Sequence, residues 1–186
     1  MTIYTIGHST RAATDFQALL AREGIHRLVD IRMYPGSRRH PQFNQDTLAR
    51  ALADHHIEYQ HLPALGGRRR LRADIPSNAW RSEGFRAYAQ YMTTDAFRAA
   101  LTELIRIGAQ SPTTIMCSEA VPWRCHRLLV SDALVARGET VCHIVDDKLV
   151  PHVLTAFAVV HNGDVTYPAP SDSANEAQPS LSLELG

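Results

Sequence analysis

Lysine is almost missing from this sequence. Lys and Arg total 19 and Lys148 is the sole lysine, so the other 18 cations are arginine; Asp and Glu also total 19 and leave no net charge. A neutral chain gives no argument for long-range steering towards nucleic acid. Cysteine is scarce as well: three residues, an odd number, do not form the disulfide framework of a small secreted domain, so reduced thiols are expected. No stretch approaches the roughly 18 to 20 apolar residues needed to span a bilayer, which predicts no membrane segment. The N-terminus, Met1-Thr2-Ile3-Tyr4-Thr5-Ile6, lacks a signal peptide's basic start and long apolar stretch, and a cytoplasmic location is expected. No internal repeat and no RNA-binding sheet signature occur, and nothing sets the oligomeric state.

What is present is an alternation of short β-rich runs and helical periods. Strands are predicted at Ile3–Ile6, Arg27–Arg32, Ile57–Leu62, Thr113–Met116 and Thr140–Val145. Between them lie helical stripes: Phe16, Leu19 and Leu20; Leu48, Ala51 and Leu52; Phe85 to Met92; Phe97 to Ile105 after a Thr94-Asp95 cap; and Leu128 to Ala136 in a helix opening at Pro122 or Trp123. Strands alternating with helices predict one α/β domain over residues 1–167. Its central, mostly parallel sheet has about five strands with helices on both faces, Rossmann-like or flavodoxin-like. The period of Lys148 to Val160 is undecided, Asn162-Gly163-Asp164 predicts a turn and an edge hairpin, and residues 168–186 read as a disordered tail.

In such sheets ligands bind beyond the carboxyl ends of the strands. That rule gathers His8 and Ser9 after the first strand, Asp30, Arg32 and Ser37 after the second, Gly67 after the third, and Cys117 and Glu119 after the fourth. The stretch Cys117 to Arg127 adds a second thiol, Cys125, with His126 and Arg127, the densest collection of reactive groups in the chain. The expected roles are nucleophile or thiolate ligand for Cys117, proton carrier for Glu119 or His8, with Asp30 beside them, and anion clamp for Arg32 and Arg127, Arg32 facing Glu119 at the pocket mouth. His126, Ser9, Ser37 and Gly67 complete a pocket for an anionic small molecule or nucleotide.

Three other readings stay open. Six residues separate Cys117 from Arg124, against five in the protein-tyrosine-phosphatase signature, which weakens a phosphate-cradle reading. Cys117, Glu119, Cys125, His126 and His8 could all ligate zinc or iron, but Cys125 and His126, adjacent on one helix, would point apart. No cofactor is therefore expected, a metal at Cys117, Cys125 and His126 being the lesser alternative. A non-enzymatic nucleic-acid-binding module could use Arg38, Arg39 and Arg68 to Arg72. Against all of these stands a structural role: Cys125 and Cys142 as small core residues, Asp30 and Arg32 as an internal ion pair.

Thr5-Ile6-Gly7-His8-Ser9, Asp30-Ile31-Arg32 with Pro35 and Ser37, Leu65-Gly66-Gly67, Phe85 to Met92, Cys117-Ser118-Glu119, Cys125-His126-Arg127 and His143-Ile144, taken in order, resemble the bacterial and archaeal domain-of-unknown-function family DUF488 over residues 2 to 145. The resemblance implies a compact α/β domain with its marked positions at these strand ends, and it brings no secure activity.

Overall fold

The computed structural model describes residues 1–76 and 78–169, so the expected tail falls outside the described residues from 170 onward. Strands β1 (Thr2–Gly7), β2 (Arg27–Asp30), β3 (Glu58–His61), β4 (Thr113–Cys117) and β5 (Thr140–Val145) form a parallel sheet in the order β3-β2-β4-β1-β5. A sixth strand, β6 (Lys148–Pro151), adds antiparallel to β5 at the edge. Val145-Asp146-Asp147-Lys148 is a two-residue hairpin with Asp146 at φ 52°, a turn geometry that Asp tolerates. The predicted Asn162-Gly163 turn does join a hairpin, β7 (Val159–His161) with β8 (Asp164–Thr166), but this pair stands apart from the central sheet.

Alternation along the strands explains why both faces are covered. Ile3, Val29, Ile115 and Val141 point to one core, formed with α3 (Glu83–Met92), α4 (Asp95–Gly108) and α5 (Arg127–Ala136). Ile6, Leu28, Met116 and Ile144 point to the other, formed with α1 (Ala13–Arg22) and α2 (Gln45–Ala53). Successive strand residues face opposite sides, so a parallel strand buried on both must be apolar at nearly every position, and β4 is buried throughout.

One helix start differs from expectation. Thr94 caps α4 as predicted, its hydroxyl accepting from Phe97 N, and α1 starts after Ala12 with no side-chain cap. Residues Pro122–Arg124 form only a 3-10 turn, Cys125 is extended (φ -134°, ψ 146°), and α5 opens at Arg127. That break reorients Cys125 relative to His126. Among the described residues no helix is long and apolar enough to cross a membrane.

Candidate functional site

The parallel ladder itself builds the cleft. Gly7 and Cys117 are register partners at the carboxyl ends of β1 and β4, and the pairing continues one step beyond them: His8 N donates to Cys117 O (3.0 Å) and Ser9 N to Ser118 O (2.9 Å). On the other side of β4, Ile31 N donates to Met116 O (3.0 Å), bringing Arg32 to the same level. The chain leaves β1 for α1 on one face and β4 for α5 on the other, so a crevice opens between their ends, the place where doubly wound sheets bind ligands. A Cβ on Gly7 would overlap the Glu119 carbonyl, which explains why a residue without a side chain sits where the β4 loop crosses β1. The resulting cavity is about 520 Å³, within the range of small-molecule sites.

Its floor is sulfur and imidazole. His126 Nδ1 lies 3.8 Å from Cys117 Sγ and 3.6 Å from Cys125 Sγ, and the three ligand atoms all lie within 4.8 Å of one another. The expectation that Cys125 and His126 diverge along one helix fails because the helix starts after them. Burial opposes a charge on Cys125, but the hydrogen bond from Cys117 and the neighbouring Arg127 outweigh it and bring its pKa down to about 6. The same sulfur–sulfur hydrogen bond, followed by burial, pushes Cys117 up to about 12. Of the two thiols, Cys125 is thus the one whose negative charge its surroundings favour, with Arg127 beside it. His126 Nε2 is buried with no partner among the described residues, as are Trp80 Nε1, Arg86 Nε and Thr114 Oγ1 elsewhere. A Cβ on Gly67 would overlap His126 Nδ1, so that glycine is the condition for the imidazole to lie where it does.

Arg127 does not clamp ligand. It is fully buried, donating from Nε to Cys125 Sγ (3.4 Å), from one terminal nitrogen to Thr5 Oγ1 (3.5 Å), and from the other to the Glu119 and Ala120 carbonyls. No carboxylate pairs with it among the described residues, so the Cys125 sulfur is the one group in contact that can carry its counter-charge.

Asp30 also lies beneath the cleft rather than in it. Arg32 grips its carboxylate with Nε (2.9 and 3.1 Å) and a terminal nitrogen (2.6 Å), Tyr59 OH donates to it (2.8 Å), and the same Arg32 nitrogen donates to Phe43 O (2.7 Å). Arg32 therefore pairs with Asp30, not with Glu119 as expected; Glu119 stays exposed at the cleft wall. The remaining Arg32 nitrogen meets His8 Nε2 at 3.3 Å while His8 Nδ1 meets Ser9 O at 2.9 Å. A neutral ring that donates at Nδ1 and accepts at Nε2 satisfies both contacts, and burial, with Arg32 adding to it, lowers the His8 pKa to about 4. His8, stacked on Phe43 at 4.3 Å, lines the cleft as a neutral wall.

Of the expected site residues, His8, Arg32, Ser37, Gly67, Cys117, Glu119 and His126 line the cleft; Asp30, Arg127 and Ser9 do not. From the sequence, Arg124 enters only through the phosphate-cradle reading and Arg68 only through the nucleic-acid one, and nothing singles out His40. Arg124 and Arg68 are exposed at the rim, Arg68 with its guanidinium 5.7 Å from the Tyr34 ring. Their signal was available in part, since Arg124 sits one residue from Cys125 and Arg68 directly follows Gly67. Of the other loop arginines, Arg69 is bonded to the Gly66 and Ala64 carbonyls over the Tyr91 ring, Arg72 pairs with Asp74 at the surface, and Arg70 is exposed.

The family model described as a domain of unknown function, DUF488, matches residues 12–134. No curated protein and no solved structure matches the chain.

Proposed function

Because the chain belongs to the DUF488 family, whose description carries no activity, we propose from the cleft alone that it is an enzyme-like site for an anionic, nucleotide-sized small molecule, with cysteine-based chemistry at its floor. The observation that carries this reading is the charge of the lining. Arg32, Arg68 and Arg124 face the cavity against a single carboxylate, Glu119. Arg32 is committed to Asp30, so Arg68 and Arg124 are the guanidiniums that can fork onto phosphate or carboxylate. The ligand's charge would lie at the rim and its reacting end over Cys117, Cys125 and His126. A cavity of about 520 Å³ suits a mononucleotide and not a duplex.

Against the nucleic-acid reading, Arg69 is engaged by loop carbonyls and Arg72 by Asp74, which leaves Arg38, Arg39, Arg68 and Arg70 as its exposed cations. Isothermal titration with nucleoside mono- and diphosphates, inorganic pyrophosphate and short oligonucleotides, over a range of salt, tests the proposal. A mononucleotide or pyrophosphate should bind with a modest salt dependence. Binding confined to oligonucleotides and falling steeply with salt would transfer the reading to the nucleic-acid module.

A further inference from the structure

We propose that Cys117, Cys125 and His126 hold a zinc-class divalent metal ion through two sulfurs and Nδ1, with the fourth position turned to the cleft. The inference deepens the function proposed above, since it takes the same floor and gives the thiols their role, but it does not need the anion to be identified.

Geometry is the first support. Zinc bonds of about 2.3 Å to sulfur and about 2.0 to 2.1 Å to nitrogen, set at the tetrahedral angle, place sulfur and nitrogen about 3.6 Å apart. The two separations here are 3.6 and 3.8 Å. Two edges of the ligand triangle thus match such a site, and the third, between the sulfurs, is at most 4.8 Å against about 3.8 Å around a zinc ion, so shifts of up to about 1 Å bring all three atoms onto one ion. The ligands come from two segments, the end of β4 and the extended residue before α5, and Gly67 lets the imidazole approach.

Charge is the second support and is independent of the first. Arg127 is fully buried, meets no carboxylate among the described residues, and donates to Cys125 Sγ at 3.4 Å. A buried guanidinium in that position requires an anionic sulfur. An N–H donor to a ligating thiolate is the usual outer-shell arrangement of a metal site. With both sulfurs deprotonated, a divalent ion and Arg127 leave one net positive charge at the floor of the cleft, matched to an anionic ligand.

Three protein ligands with a fourth position open to a cavity is the pattern of catalytic rather than structural zinc. Cys117, Cys125 and His126 all face the same cavity, whose wall also carries Glu119. In that position a water molecule or an anionic oxygen of the ligand would complete the shell, and the ion would act as a Lewis acid towards it.

The test uses the full chain, purified under reducing conditions, and cobalt(II) as the probe. Metal analysis of the purified protein should find close to one zinc or iron per chain. After chelation, cobalt should restore one equivalent with a thiolate-to-cobalt charge-transfer band and the intense visible bands of a tetrahedral site. Cys117→Ser, Cys125→Ser and His126→Ala should each weaken cobalt binding by at least tenfold, and Cys142→Ser should leave it unchanged. Adding pyrophosphate or a mononucleotide should shift the visible bands. A wild-type protein that yields no metal and gives cobalt only an octahedral, sulfur-free spectrum overturns the proposal, whatever the variants do. So does recovery of a Cys117–Cys125 disulfide as the native form on non-reducing peptide mapping. Cobalt bound as expected with no response to any anion would refute the open fourth position. Calorimetry on the metal-free protein reports separately on anion binding at the rim.

Discussion

Two polar clusters share Arg127, and they are built on opposite terms. On the α5 face, Thr5 Oγ1 meets His143 Nδ1 (2.8 Å), His143 Nε2 meets His152 Nδ1 (3.0 Å) and His152 Nε2 meets Asp132 Oδ1 (2.9 Å). Asp132 also accepts from Thr155 N (2.9 Å), Thr155 Oγ1 (2.7 Å) and Tyr167 OH (2.7 Å). One proton arrangement satisfies the whole line: Thr5 donates to His143, His143 to His152, and His152 to Asp132. In the cleft, by contrast, His126 Nε2 has no partner among the described residues, two sulfurs share one imidazole nitrogen, and Arg68 and Arg124 reach the surface. Both clusters are rich in histidine and acid or thiol. What separates a scaffold from a site here is whether the groups satisfy each other, since a completed network stabilises and leaves nothing for a ligand.

The comparison is broken most directly at Asp132. Asp132→Ala strips four donors, buried or part-buried, of their acceptor and should cost about 3 to 5 kcal/mol in urea unfolding. Arg32→Ala should fall in the same range, because Asp30 would be left buried and unpaired, and Arg32→Lys should recover only part of it, having lost the fork that grips Asp30 and Phe43 O. A loss below about 1 kcal/mol at Asp132 would mean that the network does not hold the fold.

Acid should act through one histidine of the completed cluster and one of the cleft wall. Burial, with His152 and Arg127 adding to it, lowers the His143 pKa to about 4, and burial lowers His8 to about 4 as well. Unfolded histidine titrates near 6.5, so between those values the unfolded chain binds protons that the folded chain refuses. Stability is therefore full above pH about 6.5 and declines as pH falls towards about 4, by up to roughly 3 kcal/mol for one such histidine. His143→Asn should flatten that slope, which a series of unfolding curves from pH 4 to 7.5 would show.

The scaffold was mostly legible in the sequence and the site only partly, for a physical reason. Strand residues such as Thr113 to Met116 and Thr140 to Val145 announce themselves because parallel strands buried on both faces must be apolar and β-branched. Candidate groups at strand ends follow from the same order, and so His8, Cys117 and Gly67 were found. Which of them point into the cleft depends on one or two backbone dihedrals. The helix expected from Pro122 or Trp123 begins at Arg127, and Cys125, extended before it, lies within 4.8 Å of Cys117. Likewise, Arg32 turning back onto Asp30 instead of reaching Glu119 is a side-chain choice with no sequence period. The Asp132 cluster joins residues from Thr5 to Tyr167, so no local pattern could have revealed it.

At the floor of the cleft, Gly67→Ala sharpens the contrast by adding only a methyl group. The new Cβ would overlap His126 Nδ1, and the imidazole, packed 5.1 Å from the Tyr88 ring, has little room to yield. Overpacking of this kind should cost about 1 to 3 kcal/mol. The larger consequence should be at the thiols: displacement of Nδ1 from the two sulfurs should weaken cobalt binding at least tenfold. A Gly67→Ala protein that binds cobalt as the parent does would place the imidazole outside the site.

The smallest expected effect on stability belongs to Arg124, and it is the most informative about function. Its side chain is exposed at the rim and forms no ion pair among the described residues, so Arg124→Ala should change the unfolding free energy by no more than about 0.5 kcal/mol. If the rim is where an anion docks, the same substitution removes a charge-assisted, forked contact worth about 1.5 to 3 kcal/mol, and affinity for a mononucleotide or pyrophosphate should fall by roughly 10- to 100-fold. Arg68→Ala should act in the same direction, and Arg124→Lys should restore charge without the fork and recover only part of the loss. Arg98, paired with Asp164 and Asp95 far along the chain, serves as the control, since Arg98→Ala removes the same charge from the whole molecule. Equal losses for Arg98→Ala and Arg124→Ala would reduce the rim to a general electrostatic background, whereas a loss confined to Arg124 and Arg68 locates the anion over the thiols.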